Sequence, residues 1–151
     1  MISSWFSSST IYISPTHKVN FENVQTAIQN PSKYCLINTL SREEQDCLIK
    51  GTLSVEQEEN VINEMLTQSN VPDKIVIVYG KNTNDIMLEK KYKQLRDLGC
   101  MDVFVYFGGL FEWLLLGDVF GEEEFPIFRS PYLHKTKIPL DLLKFKPVKI
   151  S

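Results

Sequence analysis

Residues 74–85 read KIVIVYGKNTND, and this stretch decides the fold of the chain. Residues 74–79 are short, β-branched and apolar after the first lysine, as in a parallel strand that is covered on both faces. The polar residues 80–84 predict a turn, and the apolar spacing of residues 85–98 predicts a helix. Gly99 is expected to end that helix, because glycine commonly follows a helix C-terminus. The stretch therefore predicts a strand–turn–helix unit.

The same alternation of apolar strands and amphipathic helices continues on both sides of this unit. The other predicted elements are a helix at 21–30, a strand at 34–38, a helix at 54–69, a strand at 102–106, and a helix that opens at Gly108-Gly109 and ends near Gly117. Strands that alternate with helices in this way form right-handed βαβ units around a parallel sheet. We therefore predict an α/β fold in which helices flank a parallel sheet on both faces.

Three parts are predicted along the chain. Residues 1–20 form a polar, Ser/Thr-rich N-terminal arm, residues 21–118 form the folded domain, and residues 119–151 form an extended C-terminal tail. The tail carries an acidic run at 122–124, four prolines and several aromatic residues, so it does not continue the alternation of strands and helices. The acidic run is interpreted as a solvated segment and not as a metal site.

Composition and charge limit the classes of function. The 151 residues carry a net charge of -3, with 43% hydrophobic and 23% charged residues, which suits one domain with a core. The negative balance argues against a dedicated nucleic-acid-binding protein. The most apolar stretch, residues 103–117, is shorter than the ~20 residues that a transmembrane helix needs. The N-terminus lacks the features of a secretory signal, so we expect a cytoplasmic or intracellular protein without membrane insertion.

The cysteines and histidines show no pattern typical of a disulfide framework or a metal site. Cys35 falls in a predicted strand, Cys47 in the loop that follows it, and Cys100 after a predicted helix. They are odd in number and lack paired spacing. His17 and His134 each stand alone, outside any zinc-binding pattern. We therefore predict no metal and no cofactor.

Four short segments stand in an order and spacing that are informative together. They are residues 36–40 (LINTL), 48–52 (LIKGT), 76–80 (VIVYG) and 106–113 (YFGGLFEW). In this order they resemble the LIDVR, HIPGA, VVYC and GGxxxW motifs of the rhodanese family. The resemblance covers about residues 20–118. It implies a rhodanese-like fold for that part of the chain.

The resemblance also implies where catalysis would take place. Rhodaneses carry a catalytic cysteine at the end of the fourth strand, and its thiolate takes up a sulfur atom as a persulfide. The N–H groups of the following loop and the N-terminus of the next helix favour the anionic sulfur, and an arginine at the last loop position helps to hold an anionic substrate. The corresponding loop in this sequence is Gly80, Lys81, Asn82, Thr83, Asn84 and Asp85.

This loop keeps the length of the family's loop but lacks its two main functional residues. Gly80 stands at the position of the cysteine, and Asp85 stands at the position of the arginine. Asn38, Leu40 and Leu48 also depart from the aspartate, arginine and histidine of the family's other motifs. The resemblance therefore implies a degenerate loop without a catalytic residue, in a protein that is more a binding module than an enzyme.

Two alternatives stay open. The loop N–H groups and the helix N-terminus could still bind a small anion with the help of Lys81, although Asp85 would oppose it and could instead cap the helix. A sulfurtransferase acting on thiosulfate or a persulfide could also use Cys35, Cys47 or Cys100 in place of the missing cysteine. These thiols are expected to be inert, because a reactive thiolate needs an electropositive setting that none of them visibly has.

A protein partner is the remaining prediction. Aromatic side chains near both ends of the chain offer the anchors that protein interfaces favour. The candidate partner-binding residues are Trp5, Phe6, Phe125, Phe128 and Tyr132. Alternatively, both ends wrap around their own domain. The sequence favours a catalytically inactive protein-binding or structural assembly module, and it is compatible with a subunit of a virus particle, a cilium or an organellar complex.

Overall fold

Short apolar runs form the strands of this protein, and amphipathic segments form its helices. The computed structural model describes residues 13–68 and 73–130. In chain order the elements are β1 (Lys18–Val19), α1 (Phe21–Gln29), β2 (Tyr34–Asn38), β3 (Cys47–Ile49), α2 (Val55–Thr67), β4 (Ile75–Tyr79), α3 (Ile86–Asp97), β5 (Val103–Tyr106), α4 (Gly109–Phe120) and β6 (Ile127–Arg129). Four strands form a parallel sheet in the order β1-β5-β4-β2, and β3 pairs with β6 in a separate antiparallel ladder. None of the described helices is long and apolar enough to cross a membrane.

Side chains of β4 alternate between the two faces of the sheet, as the pleat of a strand requires. Val76 and Val78 belong to one apolar cluster with residues of α2 and α3, whereas Ile77 and Tyr79 belong to another with residues of α1 and α4. None of these four side chains is more than 1% exposed. The prediction of a parallel sheet with helices on both faces is therefore confirmed.

Local signals set the ends of the helices. The Ser54 hydroxyl accepts a hydrogen bond from the Gln57 N–H at 3.2 Å, and the Gln57 side chain accepts one from the Ser54 N–H at 3.0 Å, so α2 begins with a capping box. Gly99 follows the end of α3 with a φ of 108°, in a region of backbone conformation that favours glycine. The predicted glycine stop of this helix is confirmed.

Short strands also occur outside the predicted domain bounds of 21–118. β1 lies within the predicted arm and pairs with β5, and β6 lies within the predicted tail and pairs with β3. The helix α4 continues past Gly117 to Phe120. The sequence pattern did not reveal these strands, because two or three residues are too few to show an alternation of apolar and polar positions. Residues 18–19 and 127–129 therefore contribute to the folded body.

The segment after α4 is fastened to the core by an aromatic cluster. Trp113 of α4 is the largest fully buried side chain among the described residues, and its indole N–H donates a hydrogen bond to the Pro126 carbonyl at 3.1 Å. The Phe125 ring meets the Trp113 ring edge-on with centroids 5.0 Å apart, and it lies 5.6 Å from the Phe21 ring. Gly117 lies beside Phe125, and a Cβ at that glycine would lie in close van der Waals contact with the Phe125 Cβ, at 3.4 Å.

The Phe125→Ala substitution should destabilise the fold strongly, because it removes a side chain that is only 4% exposed and leaves a cavity beside Trp113. Core Phe-to-Ala changes lower the free energy of unfolding by about 3–5 kcal/mol. The matched control is Phe128→Ala, whose side chain is 56% exposed and whose loss should change stability by about 0.5 kcal/mol or less. Urea denaturation measures the free energy of unfolding of both variants. If both variants lose the same amount of stability, Phe125 is not a core residue.

Candidate functional site

The loop at residues 80–85 leaves the carboxyl end of β4 and leads into α3. This edge of an open α/β sheet is where ligands commonly bind. The Gly80 carbonyl accepts a hydrogen bond from the Leu110 N–H at 3.0 Å, and the Lys81 carbonyl accepts one from the Phe111 N–H at 2.9 Å. The first turn of α4 therefore binds the loop directly.

The Gly108-Gly109 pair makes this close contact possible. Gly109 has a φ of 67°, and a Cβ at this position would lie 2.7 Å from the Gly80 carbonyl oxygen and 3.2 Å from the Asn82 nitrogen. A side chain there would force α4 away from the loop. The second glycine of the GGxxxW segment is thus required by the approach of one backbone to another.

Asp85 turns its carboxylate into the loop. One oxygen, Oδ2, accepts hydrogen bonds from the Lys81 N–H at 3.1 Å and from the Thr39 hydroxyl at 2.9 Å. The other oxygen, Oδ1, accepts a hydrogen bond from the Met87 N–H at 2.9 Å and so caps α3. The interpretation of Asp85 as a helix cap is confirmed, and the same carboxylate also ties the loop to the end of β2.

The Asp85 carboxylate fills the space beside Gly80. A Cβ at position 80 would collide with Asp85 Oδ2, and it would lie 2.9 Å from both Asp85 Cγ and Thr39 Oγ1. Any side chain at position 80 would therefore have to push the carboxylate out of its hydrogen bonds. The position at which the resemblance implies a nucleophile is thus occupied by an anion of the chain itself.

The Lys81 ammonium forms an ion pair with the Glu44 carboxylate. Hydrogen bonds from Lys81 and from the Ser41 hydroxyl lower the pKa of Glu44. The positive charge that the sequence offered for anion binding is therefore engaged within the chain. Thr39, Ser41, Glu44, Lys81 and Asp85 all line one surface cavity of about 780 Å³.

The remaining loop residues form a turn. The Asn82 side chain accepts a hydrogen bond from the Asn84 N–H at 2.9 Å, and the Asn82 carbonyl accepts one from the Asp85 N–H at 3.2 Å. Thr83 and Asn84 are exposed. Across residues 13–68 and 73–130, no group of three or more His, Cys, Asp or Glu side chains could hold a metal ion.

All three cysteines are free and buried. Burial raises the pKa of the Cys35 thiol, and it also raises the pKa of the Cys47 and Cys100 thiols. Cys35 lies in β2 as predicted, whereas Cys47 lies in the strand β3 and not in a loop. None of the three lines the cavity beside Lys81.

The predicted partner-binding aromatic residues differ in their positions. Phe125 is a core residue and not an exposed anchor, because its ring is buried against the indole of Trp113. Phe128 is exposed, as an anchor must be. The candidates that lie outside the described residues are Trp5, Phe6 and Tyr132.

Sequence reasoning missed the partners that hold the loop. Thr39 is 46 residues away from Asp85 along the chain, and Glu44 is 37 residues away from Lys81. Single polar residues at such distances carry no local signal, and only the folded sheet brings them to the loop. It also missed Val119 and Phe120, which are largely exposed at the end of α4.

No protein-family model matches the sequence, and no curated protein matches it. Solved structures do match the fold. The solution NMR structure of the rhodanese-like domain of the Alr3790 protein from Anabaena sp. has a TM-score of 0.56 and 15% identity, over 89% of this chain and 93% of that domain. A crystal structure of the Alr3790 protein has a TM-score of 0.54 and 17% identity, over 75% of this chain and 82% of that one.

A thiosulfate sulfurtransferase from Pseudomonas aeruginosa is also similar in structure. It has a TM-score of 0.50 and 20% identity, over 75% of this chain and 20% of that one. At identities this low, the structural similarity shows the fold and not the activity. The chain therefore has the rhodanese-like fold, as its four sequence segments indicated.

Gly80→Ala should lower the free energy of unfolding by about 1–3 kcal/mol, because the new Cβ displaces the Asp85 carboxylate from its three hydrogen bonds. The loss should be smaller in an Asp85→Ala background, where the carboxylate is already absent. Urea denaturation gives the free energies of unfolding for a double-mutant cycle. The cycle compares the native protein, the two single variants and the double variant. If the two substitutions lower the free energy of unfolding additively, a Cβ at position 80 does not collide with the Asp85 carboxylate.

Proposed function

We propose that this chain is a catalytically inactive rhodanese-like protein that acts as a protein-binding or structural assembly module. The proposal is carried by the contact between Gly80 and Asp85, in which the carboxylate fills the space where a nucleophilic side chain would extend. Position 80 therefore has neither a nucleophilic side chain nor free space for one.

The charges around the loop also disfavour sulfur transfer. A sulfurtransferase that uses thiosulfate must attract an anion to the loop and stabilise a negatively charged sulfur there. Asp85 instead introduces a carboxylate into the loop, and the Lys81 ammonium is paired with Glu44. The carboxylates therefore outnumber the ammonium group, and an incoming dianion would be repelled.

The alternative is a sulfurtransferase that uses one of the other cysteines, and the positions of these cysteines count against it. Sulfur transfer requires a thiolate, whereas burial raises the pKa of Cys35, Cys47 and Cys100 and so keeps their thiols protonated near neutral pH. Cys35 and Cys100 belong to the apolar cluster on the α2 and α3 side of the sheet. Cys47 belongs to the opposite cluster.

Exposed apolar side chains support a role in binding. Val119, Phe120 and Phe128 are 68%, 65% and 56% exposed. Phe120 and Phe128 are aromatic, and aromatic residues are enriched in protein interfaces. We propose Phe128 as a contact with a protein partner. The proposed anchors outside the described residues are Trp5, Phe6 and Tyr132.

The three thiols should react with iodoacetamide much more slowly in the native protein than in urea, because burial shields them and raises their pKa. Mass spectrometry after labelling at pH 7 should find them unmodified in the native protein and all modified in the urea control. A parallel assay with thiosulfate and cyanide should produce no thiocyanate. Turnover together with a persulfide on Cys35, Cys47 or Cys100 would overturn the proposal.

Phe128→Ser should weaken capture of a stoichiometric partner from the native cell by tenfold or more, since an aromatic anchor at an interface commonly contributes about 2 kcal/mol of binding free energy. The matched control is Met101→Ser, because Met101 is 70% exposed and is not a proposed anchor. Quantitative mass spectrometry of the captured proteins compares the two variants with the native chain. If the native chain and both variants capture the same amount of the partner, Phe128 does not contact that partner.

A further inference from the structure

A surface groove lies between α1 and the segment that follows α4. Three aromatic side chains, Phe21, Phe120 and Phe125, line the groove, whose volume is about 570 Å³. The centroid of the Phe125 ring lies 5.6 Å from that of Phe21 and 6.4 Å from that of Phe120. Phe125 is buried, whereas Phe120 is largely exposed. The groove therefore has a buried aromatic floor and an aromatic wall that is open to solvent.

Contacts within the fold shape this groove. The side-chain amide of Gln25 in α1 donates a hydrogen bond to the Glu124 carbonyl at 2.8 Å, which joins α1 to the segment after α4. The Trp113 ring packs edge-on against the Phe125 ring and holds the floor in place. An occupant would therefore meet a groove that is already formed, and binding costs less free energy when the site needs no rearrangement.

The rim of the groove is acidic. Glu22 and Glu124 line the groove, and Glu123 is exposed beside them. Residues 19–32 and 109–128, which contain α1 and α4, include no lysine, arginine or histidine. Among the described residues, no cationic side chain forms an ion pair with any of these three carboxylates. Apolar walls with negative charge at the rim favour an occupant that is both apolar and basic.

One segment of the chain has this chemistry. Residues 142–150, which lie outside the described residues, read LLKFKPVKI. They comprise three lysines, five aliphatic or aromatic residues and one proline, and they include no acidic side chain. The two other segments outside the described residues, 1–12 and 69–72, contain no charged side chain. Charge complementarity therefore selects residues 142–150 from these three segments.

The covalent connection allows residues 142–150 to reach the groove. Residues 131–141 separate them from Ser130, and eleven residues span at most ~36–40 Å. A domain of about 100 residues has a radius of gyration of only ~13 Å, so this reach is enough to return across its surface. Glu124 at the groove lies only six positions before Ser130 in the chain. A segment that is tethered so close to its site has a high effective concentration there.

We propose that residues 142–150 dock into the groove of their own chain, with the Phe145 ring against Phe120 and the lysines beside Glu22 and Glu124. Docking covers an exposed aromatic side chain and neutralises the acidic rim. Neither Phe128 nor the loop at 80–85 lines this groove. The inference therefore goes beyond the proposed function and does not depend on it.

Zero-length crosslinking of the full chain tests this contact, because a carbodiimide joins a lysine to a carboxylate only where the two groups meet. Mass spectrometry of the digested protein should find the lysines of residues 142–150 joined to Glu22 or Glu124. The control carboxylates are Glu56 and Glu59, which are also exposed but lie on α2. Crosslinks to Glu56 or Glu59 should be rarer by about fivefold or more, since surface ion pairs add to the apolar contact only in the groove.

Two single substitutions test the apolar part of the contact. Phe120→Ser and Phe145→Ser should each lower the yield of crosslinks to Glu22 and Glu124 by about tenfold, because each removes an aromatic side chain from the contact. The matched control is Val119→Ser, since Val119 is as exposed as Phe120 but does not line the groove. This control should keep the native yield. Far-ultraviolet circular dichroism checks that all three variants remain folded.

An equal mixture of unlabelled and ¹⁵N-labelled chains shows whose segment fills the groove. Docking within one chain gives crosslinked peptides that are wholly light or wholly heavy. Crosslinks between light and heavy peptides would identify a second copy as the occupant and overturn the proposal. It is also overturned if the lysines of residues 142–150 join Glu56 and Glu59 as often as Glu22 and Glu124, or if both Phe variants keep the native yield. None of these outcomes depends on sulfur transfer or on capture of a partner, so the two proposals fail separately.

Discussion

The hydrogen bonds between the loop at 80–85 and the first turn of α4 hold two structural units together where their strands end. The Gly80 and Lys81 carbonyls accept from N–H groups of α4, so the unit of β4 and α3 is joined to the unit of β5 and α4. These hydrogen bonds require glycine at position 109, because a Cβ there would collide with the Gly80 carbonyl oxygen. With its carbonyls directed at α4, the loop still has the Lys81 N–H to satisfy, and Asp85 accepts it.

The elements that dominate the core were predictable from the sequence alone. The strands β2, β4 and β5 are continuous apolar runs, and their helices carry apolar residues at helical spacing, so periodicity identifies both. The strands β1, β3 and β6 exist because of the strands with which they pair. A two-residue strand such as Lys18–Val19 has no pattern of its own, and it becomes a strand only when β5 is beside it. Tertiary pairing, which a sequence does not display, decides such segments.

The position of the loop at 80–85 between β4 and α3 was predictable, but the contacts within the loop were not. The resemblance to the rhodanese motifs treats Gly80 and Asp85 as two separate departures, one at the position of a cysteine and one at the position of an arginine. In the structure they form one arrangement, because the absence of a side chain at Gly80 provides the space that the Asp85 carboxylate occupies. Thr39 completes the arrangement from the neighbouring strand. Gly80 and Asp85 are five positions apart, and their spacing in the sequence does not show that the folded loop brings them into contact.

The hydrogen bonds of the loop at 80–85 also help to fix the position of α4. An ordered loop is needed to hold α4, and the N–H groups of the loop and of the first turn of α3 need an acceptor, for which a negative group is favourable. Asp85 supplies that acceptor permanently, so the position of α4 does not depend on a bound anion. The helix carries Trp113, which in turn holds Phe125 and Pro126 and thereby the start of β6. Through this chain of contacts, the carboxylate in the degenerate loop helps to fix the surface on which Phe128 is exposed.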